Sequence, residues 1–154
     1  MNASDKREIL CRRIFEASRE RIWKALLDPE SLALWWGPSG FTNVFEVFDP
    51  RPGGEWRFTM RAPDGSEYPM RKVFVEVKAP ERLVFDHPDP THGHRMSIVL
   101  QETGDDKTEV TWNMRFDTAK EAERVRAFVE PANEQNFDRL AAYLENQRVE
   151  GVRV

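Results

Sequence analysis

Glu55-Trp56-Arg57-Phe58-Thr59-Met60-Arg61 alternates without a break, with Trp56, Phe58 and Met60 on one side and charged or hydroxylated residues on the other. Successive side chains of an extended chain point to opposite faces, so this stretch reads as an antiparallel strand with one apolar and one wet face. Gly53-Gly54 in front of it and Asp64-Gly65 behind it supply turn chemistry. The period of two continues on both sides. Strands are expected at Thr42 to Asp49, Tyr68 to Lys78, Arg82 to His87, His94 to Gln101 and Thr108 to Phe116, with short turns at Ala79-Pro80-Glu81 and Gly104-Asp105-Asp106.

Further out the period changes. Glu8 to Phe15 is rich in Ile, Leu and Phe and reads as one more strand. Ser18 can cap a helix by accepting a bond from an unpaired backbone N–H, and Ile22, Trp23, Leu26 and Leu27 then share a helical face. Pro29 interrupts, and Glu30 to Trp36 reads as a second short helix that stops at Gly37-Pro38. From Thr118 to about Gln147 the apolar residues Val125, Val129, Phe137, Leu140 and Leu144 recur at helical spacing. Pro131 lies inside that run, where a lost backbone hydrogen bond should kink or break the helix. A strand, two short helices, six strands and one long helix make an α+β fold. The strands form a meander, one face of which a single helix can cover, and a sheet of this size curls around it. No repeat or linker divides the chain, so residues 1–154 read as one domain with its core at about 8–147.

With 154 residues the chain is long enough to bury most of its apolar surface. Lys and Arg number 23 against 27 acidic residues, and this net charge of -4 argues against a nucleic-acid binder. Cys11 is the single cysteine, so no internal disulfide forms. No stretch reaches the roughly 20 apolar residues of a membrane helix, and the polar amino terminus has no signal-like core, which makes the cytoplasm the expected location.

Candidate chemistry is sparse. Asp86-His87-Pro88-Asp89-Pro90-Thr91-His92-Gly93-His94 gathers all three histidines. It reads as a solvated loop rather than a metal site, because no regular structure fixes His87, His92 and His94 as ligands. Such a loop at a cavity entrance would let a histidine titrate near neutral pH. Cys11 lies among apolar neighbours and reads as a small packed hydrophobe. Glu46, Asp49, Glu55, Arg57 and Arg71 lie on strands; an inward one could act as acid, base or anion clamp, but the alternation favours outward ion pairs. No catalytic residue, metal ligand or cofactor is assigned, since Rossmann and P-loop glycine patterns are both missing.

The apolar stripes say more. Trp56, Phe58 and Met60, then Met96, Ile98 and Leu100, then Val110, Trp112, Met114 and Phe116 face inward from separate strands. They either fill a core or line a cavity. Asn133 falls on the apolar helical stripe, four residues from Val129 and from Phe137, and a buried amide there needs a polar partner, water or ligand.

Three spaced motifs carry a family resemblance. Ala17…Ile22-Trp23…Leu26…Asp28-Pro29-Glu30…Leu34-Trp35-Trp36-Gly37-Pro38…Gly40-Phe41, Asp49-Pro50-Arg51-Pro52-Gly53-Gly54-Glu55-Trp56 and Ala79-Pro80-Glu81-Arg82-Leu83-Val84-Phe85 resemble the activator of heat-shock-protein-90 ATPase homologue family. That family belongs to the SRPBCC (START, birch-pollen-allergen-like) superfamily. The resemblance runs from about Ile9 to Leu144. It implies a helix-grip fold, a seven-stranded antiparallel sheet around a long carboxy-terminal helix with a cavity between them. Superfamily relatives bind lipids, polyketides or hormones, and a few are cyclases. The run Pro69-Met70-Arg71-Lys72-Val73 departs from relatives that carry a glycine there, which re-shapes the pocket.

The resemblance tips the apolar stripes towards a cavity. Its expected lining is Trp36, Phe41, Trp56, Phe58 and Met60 from the first half of the chain. Met96, Ile98, Trp112 and Met114 join from the later strands, and Val129, Asn133 and Phe137 from the long helix. The first expectation is a non-enzymatic binder of a small hydrophobic molecule. The alternatives are a cyclase, dehydratase or hydrolase using a pocket carboxylate or histidine, and a co-chaperone-like or regulatory interaction module; a homodimer stays open. Neighbouring tryptophans do not easily share one small core, so Trp35 is expected to pack and Trp36 to sit nearer the pocket mouth.

Overall fold

The structure is a computed structural model that describes residues 6–90 and 93–152, with side chains as far as Gln147. The chain runs β1 (Glu8–Phe15), α1 (Arg19–Leu27), α2 (Pro29–Trp35), β2 (Thr42–Phe48), β3 (Glu55–Arg61), β4 (Glu67–Lys78), β5 (Arg82–His87), β6 (His94–Gly104), β7 (Lys107–Phe116) and α3 (Ala119–Val152). The strands make one seven-stranded antiparallel sheet in the order β1-β7-β6-β5-β4-β3-β2. The meander therefore runs from β2 to β7, and the first strand closes it by pairing with the last. This is the α+β order expected from the residue pattern and the helix-grip architecture that the family resemblance implies.

Local chemistry sets the helix boundaries. The Ser18 hydroxyl accepts from the Arg21 N–H at 3.2 Å and caps α1. Pro29 opens α2, where its missing N–H removes no helical bond. The Thr118 hydroxyl accepts from the Glu121 N–H at 3.1 Å at the start of α3. Pro131 does not break α3, which continues through it for 34 residues in all. A proline removes a single N–H donor, and the packed face on either side, Ala122 before it and Phe137, Leu140 and Leu144 after it, keeps the helix going. None of the helices among the described residues is long and apolar enough to cross a membrane.

Trp35 and Trp36 are both buried, at 1% and 6% exposure. Trp36 escapes the expected conflict because it is already extended backbone (φ -70, ψ 137) and turns away from the helical direction of Trp35. Gly37 follows at φ +98, a left-handed conformation that side-chain-bearing residues rarely adopt and that favours glycine at this turn.

Opposite pleats of the sheet have opposite chemistry. On the inner face Met96 pairs with Met114, Ile98 with Trp112 and Leu100 with Val110, all buried. The outer face carries ion pairs: Arg71 to Glu55 at 2.8 Å, Arg61 to Glu67 at 2.5 Å and Arg95 to Asp86 at 2.7 Å. Arg57 also reaches Glu55, Asp49 holds Arg51, and Glu46 is exposed. The charged strand residues weighed as catalytic candidates are thus spent on, or exposed to, the solvent side.

Candidate functional site

The inner face of β3, β4 and β5 places three unlike side chains together. Trp56 pairs directly with Lys72, and partners in an antiparallel ladder project to the same side. Phe85 on β5 completes the group: its ring lies 5.7 Å from that of Trp56 and 5.6 Å from the Lys72 ammonium. Continuing the β4–β5 register one step past Val73 and Asp86 brings His87 beside Lys72, and His87 pairs in turn with His94. The two imidazoles lie 5.2 Å apart, and Asp89 stands 3.9 Å from His87 at the edge of the group.

Trp36 enters this interior from the end of α2. Its ring is stacked on Trp112 at 5.2 Å, meets Trp56 edge-on at 5.0 Å, and reaches Phe85 at 6.2 Å. Helix α3 fixes that position. Asn136 accepts from the Gly37 N–H at 3.1 Å and donates to the Trp35 carbonyl at 2.8 Å. Arg139 donates to the carbonyls of Leu34, Trp36, Gly37 and Pro38 at 2.9 to 3.1 Å, closing the carboxy-terminal end of α2.

The electrostatics of the interior are lopsided towards donors. Lys72 is 4% exposed and, among the described residues, makes no hydrogen bond or ion pair. Burial pushes its amine down to about 7, with the more distant Asp89 carboxylate pulling the other way. The indole N–H groups of Trp56 and Trp112, at 1% and 2% exposure, have no acceptor among the described residues. Buried polar groups are nearly always paired, so this concentration of unmet donors marks the place.

Most of the residues expected to line a cavity pack in or against the hydrophobic core. Trp36, Trp56, Phe58, Met60, Met96, Ile98, Trp112, Met114 and Phe137 belong to a single buried cluster, and Phe41 and Val129 pack on it half-buried. Phe41 and Met60 lie against the Gly37 turn, and Phe137 meets Trp112 at 5.3 Å. Asn133 donates to the Met114 sulfur at 3.6 Å and lines a cleft of about 320 Å³ with Leu10, Cys11, Glu130, Pro131 and Glu134. In that cleft the Cys11 thiol donates to Glu134 at 3.1 Å. Burial, then Glu134, pushes the thiol up to about 12, so it stays protonated and unreactive.

His92 lies outside the described residues, and among those described no group of three or more His, Cys, Asp or Glu side chains could hold a metal ion. Lys72 is the interior residue that the sequence reading passed over. Its signal was there: Arg71 and Lys72 are adjacent cations in a strand, and the pleat turns one of them inward. Asn136 and Arg139 carried no comparable signal, because their partners lie about a hundred residues away in backbone that has no side-chain code.

A family model described as activator of Hsp90 ATPase homolog 1-like protein matches residues 16–145. Among solved structures, a protein from Nitrosomonas europaea superposes with a TM-score of 0.85 at 22% identity, over 95% of this chain and 99% of that one. A protein from Arthrobacter aurescens gives 0.85 at 22% identity, over 92% and 88%. The AHSA1 protein from Silicibacter pomeroyi gives 0.74 at 19% identity, over 91% and 99%. A comparison with curated proteins finds no match. At such identities the structural likeness is one of fold.

Proposed function

Because this chain belongs to the activator of Hsp90 ATPase homolog 1-like family, we propose that it binds a small hydrophobic or amphipathic molecule between the sheet and α3, without catalysing a reaction. The observation that carries this reading is the mixed chemistry of the interior. The rings of Trp36, Trp56, Phe85 and Trp112 pack together, and the indole N–H donors of Trp56 and Trp112 meet no acceptor among the described residues. Ligand sites are built this way, from apolar walls and a few polar groups that orient the guest. Trp36, Phe41, Phe58, Met60, Met96, Ile98, Met114, Val129, Asn133 and Phe137 supply the remaining walls of the proposed site.

A thermal-shift screen of lipids, aromatic polyketides and flavonoids tests it, with native mass spectrometry to detect a retained molecule. A ligand at about 100 times its Kd stabilises the folded protein by about 2.7 kcal/mol, a shift of several degrees. A screen in which nothing shifts the midpoint would defeat the reading. One observation favours a second, enzymatic reading: His87 is 8% exposed, beside Asp89 and next to Lys72, which gives proton-transfer groups an apolar setting. Turnover of a bound ligand that is lost in His87→Gln would decide for it.

A further inference from the structure

We propose that Lys72 and the Trp56 indole N–H form the polar end of the interior site and hold the carboxylate of an aryl or alkyl carboxylic acid. The inference rests on the binding reading above and adds the chemical class of the ligand.

An ammonium and an indole N–H can only donate. Trp56 and Lys72 are direct ladder partners on the inner face, both against the Phe85 ring, and neither has an acceptor among the described residues. Two neighbouring donors, one of them cationic, call for a partner rich in lone pairs and of opposite charge. A carboxylate offers both, whereas an alcohol or a water brings no charge. Burying an ionised carboxylate is normally costly, but here the desolvation of the cation has already occurred on folding, so the incoming anion compensates a buried charge. Asp89 does not fill that role: its side chain is 33% exposed and pairs with His87 at 3.9 Å. The rest of the ligand would lie on the aromatic rings beside them, Trp36 with Phe85 and Trp112 on either side of it. A core position could be filled more cheaply by methionine, so a lysine without a partner is a misfit in a purely structural interior.

Calorimetric titration at neutral pH with naphthylacetate and its neutral counterpart naphthylethanol tests this on the wild type, Lys72→Met and Trp56→Phe. The wild type should prefer the acid by about tenfold or more, the size of one hydrogen bond to a charged group. Lys72→Met should lose the preference and bind both probes alike. Trp56→Phe removes the N–H donor but keeps an aromatic face, and should reduce the preference for the acid over the alcohol. Circular dichroism checks that each variant is folded. Equal affinity of the wild type for acid and alcohol overturns the carboxylate anchor and leaves the binding reading standing; it is also the result expected if the donors merely hold buried water. An acid preference that survives in Lys72→Met overturns the role of Lys72. Binding of neither probe overturns the carboxylate proposal, while the binding reading beneath it is decided by the thermal-shift screen.

Discussion

At the residue scale, Lys72 couples stability to pH. In the unfolded chain the amine titrates at its ordinary value of 10.5, and in the folded protein at about 7. Between those values the unfolded state holds the extra proton, so stability rises with pH across that window. Below it the ammonium is charged in both states and the full penalty applies, at about 1.4 kcal/mol for each unit of displacement. Lys72→Met should therefore be more stable than the wild type by several kcal/mol at pH values below about 7, and the difference should shrink as pH approaches 10. Urea melts of both proteins across that range measure it. Other groups that titrate there, Cys11 among them, cancel in the difference. A constant gap between the two proteins would mean that the amine keeps its ordinary value in the fold.

At the element scale, α3 is the longest element and carries an evident flaw. Pro131 is exposed and interrupts the backbone ladder without stopping the helix. Pro131→Ala restores one N–H donor and should raise stability by about 1–3 kcal/mol, seen as a higher thermal midpoint. The proline shows where the sequence was legible and where it was not. Strands such as β3 could be read residue by residue, because a half-buried sheet imposes a period of two on its own composition. The expected break in α3 was a local rule overridden by packing over the turns on either side. β6 runs on to Gly104, past the Gln101 expected, because its end is set by the tight turn to β7, where Asp106 takes φ 52. Asn133 was legible as a buried amide from helical spacing alone. Lys72 was hidden because a charged residue in a strand is read as outward by default, although Arg71 beside it already occupied the outer face and paired with Glu55.

At the scale of the whole molecule, α3 both covers the sheet and fixes the entry of Trp36. Asn136→Ala would strand the buried Gly37 N–H and Trp35 carbonyl together, at a cost of roughly 2–4 kcal/mol. Chemical denaturation should show the loss, and tryptophan fluorescence should shift as Trp36 loosens from Trp112. A variant as stable as the wild type would mean that Arg139 alone holds this segment. The same long-range logic governs the sheet. β1 pairs residue for residue with β7, Ile9 opposite Met114 and Cys11 opposite Trp112. On the ribosome, then, the first strand to emerge is the one whose partner is made last. The β2 to β7 meander can grow by successive neighbours while β1 waits, and contacts so distant in sequence form slowly. Leu10 and Ile14 on its outer face remain half-exposed even in the finished protein, at 51% and 54%. Within this sheet β1 is thus the strand most open to mispairing during synthesis, and the one that most needs shielding until Phe116 has been made.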